Sequence, residues 1–132
     1  MEQTKFLDDL KGIISKACEY SEKARRKGLL SLEDDIGYSD GRENLLNYGL
    51  QFVIDGTDAV FIDKLLTNII NHETDPKEKV LKTIQKEAVL SIQAGENQRL
   101  MLQLLISYVN GETLNALNDI FSDDKEIIQY IR

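Results

Sequence analysis

Apolar residues recur at three- and four-residue spacing along the whole of this chain, and no strict alternation lasts long enough to mark a strand. Over residues 4–27, Phe6, Leu7, Leu10, Ile13, Ile14, Ala17, Cys18 and Ala24 fall on one side of a helix whose other side carries Lys, Asp and Glu. Gly28 ends or bends that helix. Lys23, Arg25, Arg26 and Lys27 occupy its last turns, where cations suit the negative end of the helix dipole. Ser31 followed by Asp34 has the form of a cap opening a further turn, with Leu29, Leu30, Leu32 and Ile36 as its apolar contacts. The stretch "GYSDGREN", rich in Gly, Ser, Asp and Asn, reads as a loop.

Beyond the loop, Leu45, Leu46, Gly49, Phe52 and Val53 predict a helix reaching Asp55, stopped by Gly56 in the left-handed conformation. Thr57 or Asp58 caps its successor over 58–72, where Ile62, Leu65, Leu66, Ile69 and Ile70 share a side. "HETDP" is the next break, and Pro76 fits the first turn of a helix, where its missing N–H costs nothing. That helix carries Val80, Leu81, Ile84, Ala88 and Ile92 and stops at Gly95. Asn97 caps another, which turns Leu100, Met101, Leu104, Leu105 and Tyr108 inward. The polar stretch Gly95-Glu96-Asn97-Gln98-Arg99 between these two stripes therefore reads as the corner of a helical hairpin. Leu114, Leu117, Ile120 and Phe121, then Ile127, Ile128 and Ile131, mark two short closing helices. The fold class these patterns predict is all-α: a single compact helical domain over residues 1–132, built of about six to seven helices.

Composition narrows the class. The chain has 132 residues, enough to bury a core without staples, and is 42% hydrophobic and 30% charged, as soluble globules are. A net charge of −7 and a pI near 4.7 argue against nucleic-acid or anionic-membrane binding, which needs basic surface. The longest apolar stretch, around "LMLQLLISYV", is too short to span a bilayer, and the acidic first residues lack the apolar core of a signal peptide. Cys18 is the only cysteine, so no internal disulfide forms and a reducing compartment is expected. On the apolar side of its helix it reads as a small buried hydrophobe. A cytoplasmic protein with no direct membrane insertion is the expectation.

Candidate chemistry is sparse. His72 is the only histidine, falls at a helix end, and has no second His or Cys nearby to share a metal. The acids of "LEDDIGYSDGREN" miss the calcium-loop pattern: Ile36 and Tyr38 fill ligand positions counted back from Gly41, and Asn47 fills the twelfth. The glycines form no phosphate loop. No catalytic residue, metal or cofactor is expected, and the chain does not read as an enzyme. The stretch from Lys23 to Asp35 differs, packing four cations and then three acids around Gly28. Its plain reading is a solvated face with dipole-matched ends. Its sharper reading is a bipolar patch that docks a partner of complementary charge, with Arg25, Arg26, Lys27, Glu33 and Asp34 as the binding residues.

Three segments, "ARRKGLLSLEDDI", "GLQFVIDGTD" and "EAVLSIQAGENQR" with the following "LLISYV", together resemble the cytoplasmic parts of flagellar stator subunits of the MotA family, relatives of the ExbB and TolQ channel proteins. The likeness runs in order over residues 12–109. It implies a division into a first cytoplasmic segment at 12–75, a tail-like helical hairpin at 77–109, and extra C-terminal helices at 110–132. The family's membrane helices have no counterpart, since "NHETDPKEKVLKTIQ" runs straight across where two of them would lie. Ala59 and Gln98 stand where the family has proline, each at the expected first position after a helix cap. The resemblance implies that Arg25 and Glu33 face the rotor's switch protein. It also implies that the partners are that protein or stator subunits, with the chain lying at the inner face of the membrane beside the motor. A self-associating scaffold, or a stator remnant without rotor contact, is the alternative, and a homo-oligomer belongs to it.

Overall fold

The computed structural model describes residues 2–36 and 41–132, the side chains of residues 2 and 3 excepted. Residues 37–40, which hold the first half of the expected loop and Tyr38 of the rejected calcium pattern, lie outside the described residues. Eight α-helices and no strand occur among those described: α1 (Glu2–Lys27), α2 (Glu33–Ile36), α3 (Leu45–Ile54), α4 (Ala59–Asn71), α5 (Pro76–Ala94), α6 (Gln98–Ile106), α7 (Gly111–Ile120) and α8 (Lys125–Ile131). Short 3-10 turns at Leu29–Leu32 and Gly41–Glu43 precede α2 and α3. The fold is all-α, as the apolar spacing predicts, with one helix more because the single turn α2 stands apart.

Side-chain caps set most of these boundaries. Asn44, Asp58, Asp75, Asn97, Asn110 and Asp124 each accept a hydrogen bond from a free N–H in the first turn of α3, α4, α5, α6, α7 and α8 respectively. Ala59, Pro76 and Gln98 are the first helical residues behind three of these caps. Both positions expected after a cap are thus found there, and neither needs proline because the cap already satisfies the turn. At Gly56 (φ +84°) and Gly95 (φ +71°) the chain enters the left-handed region that closes α3 and α5. There the N–H of Thr57 reaches Phe52 O and that of Glu96 reaches Ser91 O.

α5 is the central element, and α1, α3, α4 and α6 all pack on it. Its apolar side supplies Leu81, Ile84, Ala88, Val89 and Ile92 to the core. Around these close Ile14 and Ala17 of α1, Leu45 and Leu50 of α3, Ile62 and Leu66 of α4, and Met101, Leu102 and Leu105 of α6. The buried residues form one cluster. Polar side chains of α5 tie the same neighbours down at its edges. Gln85 accepts from the Leu46 N–H, Gln93 donates to Thr57 O, and Lys86 pairs with Asp63 at 2.8 Å. That bond from Lys86, more than its charge, holds the Asp63 carboxyl below the usual carboxylate range.

Two expectations are corrected. Ser31 does not cap α2: its hydroxyl donates to Gly28 O at 2.6 Å inside a 3-10 turn, so it closes the preceding turn instead of opening the next. In α6 the inward face is Met101, Leu102, Leu105 and Ile106, while Leu100 (56% exposed), Leu104 and Tyr108 face outward. Tyr108 instead donates its hydroxyl to Glu87 of α5 at 2.7 Å, a bond that pushes the phenol up to about 12. His72 ends α4 as its C-terminal cap residue and is exposed, as its place before "ETDP" implies.

Candidate partner-binding surface

The end of α1 is where the sequence concentrates its charge, and local geometry presents that charge outward. Arg25, Arg26 and Lys27 fill the last turn of α1 and are exposed. Gly28, at φ +90°, then breaks the helix by taking a conformation that L side chains rarely adopt. The turn Leu29–Leu32 reverses the chain, with Leu32 fully buried as its foot. Glu33 and Asp34 follow on the exposed side of α2. α2 is fastened at two points: Asp35 pairs with Lys23 of α1 at 2.6 Å, and the Asn47 side-chain amide donates to Ile36 O at 3.1 Å. The second bond ties the turn to α3, on the body of the domain.

The five residues singled out by sequence therefore sit on one continuous segment, Arg25 to Asp34, whose ends are clasped together by Lys23 and Asp35. Arg26 makes an exposed pair with Glu22 one turn back at 3.0 Å, a contact of little energetic weight. Among the described residues, Arg25, Lys27, Glu33 and Asp34 make no ion pair, so their charge is directed to solvent. Leu30, expected among the apolar contacts of this segment, is instead 69% exposed. The turn buries Leu32 and half-buries Leu29, which leaves Leu30 on the outer side.

Arg25 and Arg26 also border a groove of 490 Å³ that sequence reasoning did not foresee. Its other walls are Glu22 of α1, Asn97 and Gln98 at the start of α6, and Glu126, Gln129 and Tyr130 of α8. Lys27, Glu33 and Asp34 do not line it. The polar corner at residues 95–99 is the hairpin corner expected, closed internally by the Ser91 hydroxyl donating to Glu96 at 2.7 Å, and it is also a wall of this groove. Gln98 pins the corner to α1 by donating to Cys18 O at 3.2 Å, and Gln103 holds α8 by donating to Tyr130 O at 2.7 Å. Cys18 lies buried in α1. Burial first, and the nearby Asp124, Glu126 and Glu22 after it, push its thiol up to about 12, which removes its nucleophilic form at neutral pH. Glu22 and Glu126 offset the two arginines, so the groove is polar and mixed in sign. Among the described residues no three His, Cys, Asp or Glu side chains are grouped as metal ligands, and no helix is long and apolar enough to cross a membrane.

The chain is 32% identical over 81 residues to Motility protein A of Treponema phagedenis. The match covers 61% of this chain and 30% of the relative, so the chain spans about a third of that protein's length. No protein-family profile matches the chain, and no solved structure does. The similarity to a motility protein agrees with the resemblance carried by the "ARRKG", "DGTD" and "AGEN" segments.

Proposed function

We propose that this chain is a non-enzymatic interaction module of the bacterial flagellar motor. It binds the rotor switch protein or a stator subunit from the cytoplasmic side, through the charged surface formed by the end of α1 and by α2. The observation that carries this reading is the set of four exposed charges, Arg25, Lys27, Glu33 and Asp34, which make no ion pair among the described residues and lie on a segment fastened by Lys23–Asp35 and Asn47–Ile36. The similarity to a protein named for motility supplies the motor. Charges fixed on a stiff support orient a partner and raise its association rate, and they do so less as salt rises. Titrating the purified chain with purified switch protein, and separately with the cytoplasmic part of a stator subunit, tests this. Binding to one of them that weakens with added salt is the expected result. No binding to either at low salt contradicts it.

A second reading, the self-associating scaffold, is favoured by a different observation. Leu100, Leu104 and Tyr108 form an outward apolar row along α6 and just beyond its end, and Val60 (75% exposed) and Phe61 form a second patch at the start of α4. Sedimentation at several concentrations separates the two readings: a scaffold gains mass with concentration, and the docking module stays monomeric.

A further inference from the structure

We propose that a second copy of this chain covers the outward face of α4, α5 and α6, on a two-fold axis that passes over Val60, Leu90 and Leu104. The pairing rests on the self-associating reading and names its surface and register.

Bonds between the helices line these three residues up. Lys86 of α5 meets Asp63 of α4 at 2.8 Å, and Gln93 donates to Thr57 O, just before α4, at 2.8 Å. α4 and α5 therefore run antiparallel, and Leu90, between Lys86 and Gln93, stands opposite Val60, between Thr57 and Asp63. On its other side α5 meets α6 through Glu87, which accepts from the Tyr108 hydroxyl at 2.7 Å. One turn along each helix from that bond lie Leu90 and Leu104, so these two are also neighbours. Val60 and Leu104 are exposed and Leu90 is half-buried, which makes an apolar band across three helices. Leu100 and Tyr108, both exposed, extend the band one turn either way along α6. Scattered surface leucines are ordinary, but apolar side chains gathered on one face mark an interface.

A second copy fits this band because the band is symmetric about its own middle. A two-fold axis laid across the helices at Leu104 sets Leu104 against its own copy and Leu100 against the copy's Tyr108, each about 6 Å from the axis along α6. The same axis carries Lys64, one turn past Val60, toward the copy's Asp55 and Asp58, which lie on the other side of Val60. These three charges are exposed, and among the described residues none of them makes an ion pair. The rotation that matches the apolar band thus also brings opposite charges together at its rim, and rim charges of this kind fix register more than affinity. The net charge of −7 on each copy opposes approach, but salt near 0.15 M screens it beyond about 8 Å, so the apolar band carries the affinity.

The test is sedimentation of wild type, Leu104→Glu and Lys64→Glu at several concentrations in about 0.15 M salt, with mild oxidation of Leu104→Cys and Lys11→Cys beside it. Circular dichroism and thermal unfolding of each variant accompany the measurements. Wild type is expected to gain mass toward a dimer. Leu104→Glu is expected to keep its melting temperature and to weaken pairing at least about tenfold, and Lys64→Glu to weaken it severalfold. Leu104→Cys, on the axis, is expected to cross-link to its own copy, and Lys11→Cys, exposed on α1, is not. Cys18 is buried and stays out of the reaction. Wild-type dimers that persist in Leu104→Glu, or that leave Leu104→Cys unlinked, overturn this face and register while self-association stands. A wild type that stays monomeric at every concentration overturns the pairing together with the self-associating reading. A monomeric wild type whose binding to a motor protein is lost in Leu104→Glu shows that another protein covers the face, and this overturns the second copy.

Discussion

A Cβ placed on Gly49 would lie 2.8 Å from Val89 Cγ2 and 3.0 Å from Leu66 Cδ1. The glycine is thus the point at which α3 approaches α4 and α5. Gly12, in the middle of α1, meets nothing within 4 Å and is exposed. The same substitution should then have opposite signs at the two sites. Gly12→Ala gains helix propensity alone and stabilises by ~0.5–1 kcal/mol. Gly49→Ala gains the same propensity but forces branched core side chains apart at a cost of ~1–3 kcal/mol, for a net loss of about 1 kcal/mol. Denaturant unfolding of the two variants measures both. Residue-scale chemistry was the most legible layer of the sequence. Gly56, Gly95, Asp58, Asn97 and Pro76 act as read, because caps and left-handed turns are local events that need no knowledge of the fold. Ser31 failed for a local reason too. The same Ser-x-x-Asp spacing serves a 3-10 turn that closes back on Gly28, and only the position of the following helix tells the two apart.

At the scale of elements, helix existence was legible and helix orientation was not always so. α6 is the clearest instance. Its sequence, "QRLMLQLLI", is apolar at six of nine positions, so a stripe of 100, 101, 104, 105 and 108 fits as well as one of 101, 102, 105 and 106. Tertiary contact chooses the second: α1, α5 and α8 pack on α6, Leu102 and Ile106 are buried, and Leu100 is left outside. Truncation reads this register directly. Leu102→Ala, at a fully buried site, is expected to destabilise the protein by ~2–4 kcal/mol, and Leu100→Ala by under about 0.5 kcal/mol. Equal losses at the two positions, measured by thermal or denaturant unfolding, contradict the observed packing. The groove at the end of α1 was illegible for a related reason. Its walls come from residues 22–26, 97–98 and 126–130, and no periodicity joins segments so far apart.

For the whole molecule, one core cluster gathers helices from both sides of the stretch where the resembled family inserts membrane segments. α5, which begins within that stretch, is the helix on which α1, α3, α4 and α6 converge. That arrangement gives the charged surface a packed base. The five residues read from sequence as binding residues do fall together on that surface, because they lie on one short run of chain. Leu30, expected among the apolar contacts of this segment, is exposed instead, because exposure inside an apolar "GLLSL" depends on which way the turn faces. The claim on which the account depends is that charge at this surface holds a motor protein. Its most direct measurement is the dissociation constant for the switch protein of wild type against the double variant Arg25→Glu, Glu33→Lys at low salt. The account predicts binding weakened by ten- to a hundredfold, roughly the 1.4–3 kcal/mol carried by a few rim charges, with helical content unchanged. A dissociation constant that survives both reversals contradicts it.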